Sequence, residues 1–110
     1  MLRSPLPLLE GSLDLLVLGA LARGSAHGYG VATRVRDCSE GAMVVEDAAL
    51  YQALHRLERK GSIAAEWGVS DNNRRARYYS LTADGKRRLR EEAASWRRYA
   101  KAVSGVLADA

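Results

Sequence analysis

Apolar positions along the chain repeat first with a helical period, then with a strand period, then with a helical one again. Ser12 can cap a helix over about Leu13 to Arg23, with Asp14 favourable in its first turn and Gly24 as its stop. Leu13, Leu16, Val17, Ala20 and Leu21 have the spacing of one buried face, while Leu15, Leu18 and Ala22 form a second apolar stripe. A surface helix needs only one stripe, so the second predicts a second partner, in so short a chain another subunit. A second helix over about Tyr29 to Asp37 turns Val31, Val35 and Cys38 inward and Arg34 and Arg36 outward. Asp47 caps a third over about Ala48 to Lys60, with Leu50, Leu54 and Leu57 inward and Gly61 ending it.

The outer face of this third helix carries the candidate chemistry. Gln52, His55, Arg56 and Arg59 recur at i, i+3, i+4 and i+7 with Tyr51 alongside, collecting an amide, an imidazole and two guanidiniums. Such side chains read base edges and phosphates, but a merely solvated face has the same pattern. Beyond Gly61 the chain alternates with period two: Ile63, Ala65, Trp67 and Val69, a polar break, then Arg77, Tyr79 and Leu81. Two strands of a hairpin result, joined by the turn formers Ser70 to Asn73 and the paired Arg74 and Arg75. A helix leading directly into a basic-tipped hairpin is the order of a winged helix-turn-helix.

Thr82 caps a last helix reaching about Leu107, in which Leu89, Ala93, Trp96, Ala100, Val103 and Leu107 form a two-per-heptad seam. A seam of that length wants another helix, and a two-fold dimer would cover it together with the spare stripe of the first helix. The fold class expected is therefore mainly α with a small β-hairpin wing. A winged helix-turn-helix unit over 1–81 and a dimerisation helix over 82–110 form one compact body.

Composition narrows the function. At 110 residues there is material for one core and no separate catalytic lobe. The net charge of +4 conceals an asymmetry: residues 1 to 50 hold 4 Lys+Arg against 6 Asp+Glu, residues 51 to 110 hold 13 against 7. Positive charge concentrated where the stripe and the wing lie suits a polyanion. One cysteine, Cys38, and two distant histidines give neither a disulfide nor a metal cluster, and no cofactor is implied. The apolar run Leu15 to Ala22 is preceded by Glu10 and Asp14 and is too short to span a bilayer, so a cytoplasmic protein without membrane contact is expected. His27 has no nucleophile or orienting carboxylate to serve, which makes it structural at the start of the second helix and leaves no enzyme. Cys38 is expected to be a small buried residue.

In order and spacing, His27-Gly28-Tyr29-Gly30, the run Leu50 to Glu58, Gly61, Glu66-Trp67, Arg74-Arg75, Arg77-Tyr78-Tyr79 and Leu81-Thr82 resemble the PadR family of transcriptional regulators. The likeness extends over about residues 9 to 107 and is to the shorter branch with a single C-terminal helix. It implies a bacterial winged-helix homodimer that binds operator DNA at an inverted repeat, commonly as a repressor, often relieved by a small hydrophobic or aromatic effector. Many members carry proline where this chain has Gln52, a departure that touches base preference more than fold.

On that basis the third helix enters the major groove, Gln52 facing adenine, Arg56 guanine or a phosphate, Tyr51 and His55 the backbone, with Arg59 on the same DNA-binding stripe. Arg74 and Arg75 grip the backbone or a minor groove. Lys86, Arg87 and Arg88 fit a phosphate contact or a solvated face equally. Leu15, Leu18, Leu89, Ala93, Trp96, Ala100 and Val103 line the dimer contact, where Trp96 between two alanines either packs or stacks a flat ligand. The rival reading is a winged-helix protein-interaction module without specific DNA binding.

Overall fold

A computed structural model describes residues 11–109. The first ten residues of the expected DNA-binding unit, Glu10 among them, and the last residue of the C-terminal unit lie outside the described residues. Four helices and one hairpin occur in the order α1 (Ser12–Leu21), α2 (Gly28–Cys38), α3 (Asp47–Arg59), β1 (Ile63–Val69), β2 (Arg75–Leu81) and α4 (Ala83–Val106). This is the winged-helix arrangement.

At the centre lies α1, which touches α2, α3, α4 and β2. Its apolar residues spread around the helix because so many neighbours surround it. Val17 and Leu18 are fully buried. Leu18 thereby departs from the expected second stripe: it belongs to the core of its own protomer, and Leu15 remains half-buried beside it. Helix α1 starts one residue earlier than expected, with Gly11 at the cap and Ser12 inside.

Helix α2 begins where His27 accepts a hydrogen bond from the Gly30 amide through Nδ1 at 3.0 Å. The structural role expected of this histidine is thus a helix cap. Arg34 does not point outward as expected; its guanidinium donates to the Ala20 and Gly24 carbonyls at 3.1 and 2.6 Å and closes the α1–α2 turn. Cys38 is exposed rather than buried, since α2 ends at that residue. Leu50, Ala53, Leu54 and Leu57 carry α3 into the core, and Gly61 at φ +78° turns the chain into β1.

The strands pair antiparallel in the register Ile63↔Leu81, Ala65↔Tyr79, Trp67↔Arg77 and Val69↔Arg75. Arg75 therefore belongs to β2 and not to the connector. Backbone bonds between Ala26 and Tyr79, 3.0 and 2.8 Å long, tie the α1–α2 turn to the edge of β2. Ile63 and Tyr79 are buried while Trp67 and Val69 are exposed, so the hairpin runs out of the core as a wing. Thr82 caps α4 by accepting from the Gly85 amide at 3.0 Å. A Cβ at Gly85 would overlap the Ser62 carbonyl oxygen, so glycine alone permits α4 to start this close to β1. None of the helices among the described residues is long and apolar enough to cross a membrane.

Candidate nucleic-acid interface

Four helical positions set the outer face of α3. Tyr51, Gln52, His55 and Arg59 are exposed there, and the inward leucines of the same helix fix its orientation. Among the described residues their polar ends have no hydrogen-bond or ion-pair partner. Helix α3 thus presents an amide, an imidazole, a phenol and a guanidinium to the outside. The periodicity predicts all four.

Arg56 is different. Its Nη2 and Nε donate to the two carboxylate oxygens of Asp14 at 2.5 and 3.2 Å, a bidentate pair joining α3 to α1. Hydrogen bonding to Asp14, with the attraction of its charge, raises the Arg56 pKa further above its ordinary value. The guanidinium is thereby directed at α1 instead of outward. Arg56 leaves the helix at the edge of the stripe, where a neighbouring carboxylate captures it, and sequence spacing along α3 carries no trace of a partner 42 residues away.

The wing lies beside α3. Arg77 donates from Nη2 to Glu58 of α3 at 2.9 Å, and its guanidinium also lies 5.8 Å from the Trp67 ring centroid. Arg75 stacks over Trp67 at 4.5 Å. At the tip, Ser70 and Arg74 close the turn through backbone bonds, with Asn73 at φ +62°, and leave the Arg74 guanidinium in solvent. On the far face the Tyr78 ring covers Gly68, and its hydroxyl donates to the Val69 carbonyl at 3.1 Å. Burial pushes the Tyr79 phenol above its usual pKa, partly offset by the charge of Arg77. Sequence reasoning missed Arg77, Trp67 and Asp14 as parts of this site. Strand alternation did carry a signal for the first two, because an arginine falls on the same face as an exposed indole.

The expected dimer residues do not gather around α3 but along α1 and α4. Leu15, Leu89, Ala93 and Ala100 are half-buried, Trp96 is 44% exposed and Val103 is exposed. An apolar cleft of about 640 Å³ opens between α1, α2 and α4, lined by Leu15, Leu16, Met43, Leu89 and Trp96 and by the exposed Cys38. Arg87 pairs with Asp84 and Glu91, and Arg88 with Glu92 at 3.1 Å, so these two cations are engaged along their own helix. No three histidine, cysteine or acidic side chains converge as a metal site among the described residues.

The sequence model of the Transcriptional regulator PadR-like family matches residues 17–91. A relative from Lysinibacillus sphaericus, itself uncharacterised, is 32% identical over 90 residues, 81% of this chain and 82% of that one. Two solved structures extend the likeness to the fold. A PadR family transcription regulator from Clostridium difficile is 30% identical with a TM-score of 0.77, the match covering 88% of this chain and 99% of that one. Another from Eggerthella lenta is 32% identical with a TM-score of 0.73, covering 91% and 85%. The chain described here, with its winged helix and its long C-terminal helix, belongs to the PadR-like family of transcriptional regulators and is a non-enzymatic regulator.

Proposed function

We propose that the chain is a cytoplasmic, sequence-specific DNA-binding repressor that acts as a homodimer on an inverted repeat. The observation that carries this reading is the outer face of α3, where Tyr51, Gln52, His55 and Arg59 have no polar partner among the described residues and lie beside a wing bearing Arg74 and Arg75. Helix α3 enters the major groove. Gln52, one donor and one acceptor on a planar group, matches the N6 and N7 edge of adenine. Arg59, His55 and Tyr51 take neighbouring bases and phosphates, and the wing arginines hold the backbone or a minor groove. Arg56 drops out of the readers, because its guanidinium is committed to Asp14.

Dimerisation is supported by the seam Leu89, Ala93, Trp96, Ala100 and Val103, which the protomer leaves partly exposed, with Leu15 beside it. A second copy laid along α4 covers it and presents two reading helices to successive turns of one duplex. The apolar cleft next to Trp96 suits a small hydrophobic or aromatic effector. Binding there relieves repression if the ligand favours a dimer whose reading helices no longer match the operator spacing.

The test is a titration of fluorescent duplexes from the region upstream of the chain's own coding sequence over a salt series, with sedimentation alongside. Arg59, Arg74 and Arg75, the cations of α3 and the wing that have no ion-pair partner among the described residues, predict that log K falls with log salt at a slope of about −5 for the dimer. Preference for an inverted repeat is expected. A monomer that binds all duplexes weakly and equally would sink the proposal and favour the protein-interaction module.

A further inference from the structure

The cap of α2 is a histidine whose Nδ1 accepts from the Gly30 amide at 3.0 Å. A ring nitrogen that accepts carries no hydrogen, so the His27 imidazole is neutral and its proton sits on Nε2. Serine, threonine and asparagine cap helices without that condition, as Thr82 does for α4. With histidine in this place, the start of α2 depends on pH. Protonation turns Nδ1 from acceptor to donor. Two N–H groups then face each other, and a positive charge lies at the positive end of the helix dipole.

The ring is half-buried at the edge of an open groove, where water and protons reach it. Tyr78 of β2 meets it edge-on with centroids 5.4 Å apart, and Tyr29 of α2 lies at 6.4 Å. Arg34 of α2, Arg74, Arg75 and Arg77 of the wing, and a single carboxylate, Asp71, line the same groove, with the phenols of Tyr51 and Tyr79. Glu66 of β1 stands opposite Tyr78 in the strand register. No carboxylate among the described residues is within ion-pair distance of the imidazole, so no counter-ion stands ready for its charged form.

Three elements meet at this cap. Ala26, the residue before it, exchanges two backbone bonds with Tyr79 of β2, 3.0 and 2.8 Å long. Gly28, the residue after it, lies so near α3 that a Cβ there would come within 3.1 Å of the Tyr51 hydroxyl. Loss of the cap therefore loosens α2 where it holds both the wing and α3. We propose that His27 is a pH-sensitive latch: neutral, it fixes the first turn of α2 against α3 and the wing, and protonated, it releases that turn and weakens DNA binding. Imidazoles titrate between about pH 5 and 8, so the cap is fully present above that window and is lost as the pH falls through it. The release of DNA rests on the function proposed above, whereas the change at the start of α2 does not. His55, the other histidine of the chain, acts with the opposite sign, since charging a side chain on the outer face of α3 adds attraction for phosphate.

Proton–nitrogen spectra of the full chain and its His27→Asn variant from about pH 8 to pH 5.5, with anisotropy titrations on the upstream fragment over the same range, test this. At the upper end the parent should show the Nε2–H tautomer of His27. Its Gly30 amide signal should move as that ring titrates, and protection of the Gly30 and Val31 amides from hydrogen exchange should fall about 10-fold on acidification. Asparagine keeps an acceptor that does not titrate, so in His27→Asn both readouts should stay level. Over the same range the parent should lose about 10-fold more DNA affinity than His27→Asn. Both chains carry His55, so the difference isolates His27. An Nδ1–H tautomer at the upper end overturns the latch, as does amide protection that does not change or a parent that loses no more affinity than the variant. Should His27→Asn fail to fold, the tautomer and amide protection of the parent decide alone. If these behave as expected and the parent binds no duplex at any pH, the DNA reading falls and the pH-dependent cap stands.

Discussion

Replacing Arg56 separates two roles that its position on the reading helix would otherwise confuse. The guanidinium makes two hydrogen bonds to Asp14, at 2.5 and 3.2 Å. The Asp14 side chain is 17% exposed and that of Arg56 39%, which places the pair between the surface and buried limits. An exposed ion pair stabilises by about 0.2–1 kcal/mol, and breaking a buried one costs about 3–5 kcal/mol. Bidentate geometry argues for more than the surface value, and water around the Arg56 side chain argues for far less than the buried one. We expect a coupling of about 1–1.5 kcal/mol from a double-mutant cycle of Asp14→Ala and Arg56→Ala in urea. The singles should differ. Arg56→Ala leaves a mostly covered carboxylate and should cost about 2 kcal/mol, whereas Asp14→Ala leaves a guanidinium that water can reach and should cost about 1 kcal/mol. Because the pair only orients α3 against α1, both variants should weaken binding to matched and mismatched sites by the same factor. A coupling below about 0.3 kcal/mol would refute the tie. So would a loss of about 1–3 kcal/mol of site discrimination in Arg56→Ala without the same loss in Asp14→Ala, which would return Arg56 to the base readers.

Substitutions on three other elements probe the reading face, the seam and the core. Gln52→Ala should reduce discrimination at one base pair of each half-site by about 1–3 kcal/mol while leaving the salt slope intact, measured with singly substituted duplexes. Trp96→Ala removes the largest side chain of the α4 seam, so sedimentation should show a dimer dissociating at higher protein concentration; an unchanged dimer would place the interface elsewhere. Gly85→Ala drives a methyl group into the Ser62 carbonyl oxygen, an overlap that backbone cannot relieve cheaply. Thermal melts should show a loss of about 3 kcal/mol, and a melt within a degree of the parent would mean that α4 can shift.

The elements of this fold were legible because each is written in local spacing. Thr82 and Gly85, the leucines of α3 and the alternation from Ile63 to Leu81 lie within a few residues of what they determine. Boundaries slipped by one or two positions where caps differ, as at Gly11 and Glu46. The face of a helix was less legible than its existence. Spacing alone puts Leu18 on an outer stripe, as on a helix that meets the core along one side, yet α1 is surrounded by four elements and buries both stripes in part.

Of the candidate interface, Gln52, His55 and Arg59 could be seen from α3 alone, since an outer face is what remains once the inner leucines are placed. The fate of a charged side chain could not. Arg56, Arg77 and Arg34 look alike in sequence, and each is settled by a partner on another element: Asp14 on α1, Glu58 on α3, the Ala20 and Gly24 carbonyls at the α1–α2 turn. These three contacts have a common consequence. They fasten α3 to α1, the wing to α3, and α2 to α1, so that the residues left without partners project from a frame held at several points. A reader of duplex DNA gains from such a frame, because a contact pre-set in orientation loses less entropy on binding. On the proposed reading the division of labour among the arginines is therefore physical and not compositional. Arg34, Arg56 and Arg77, each paired across elements, set the geometry, and Arg59, Arg74 and Arg75 provide the charge.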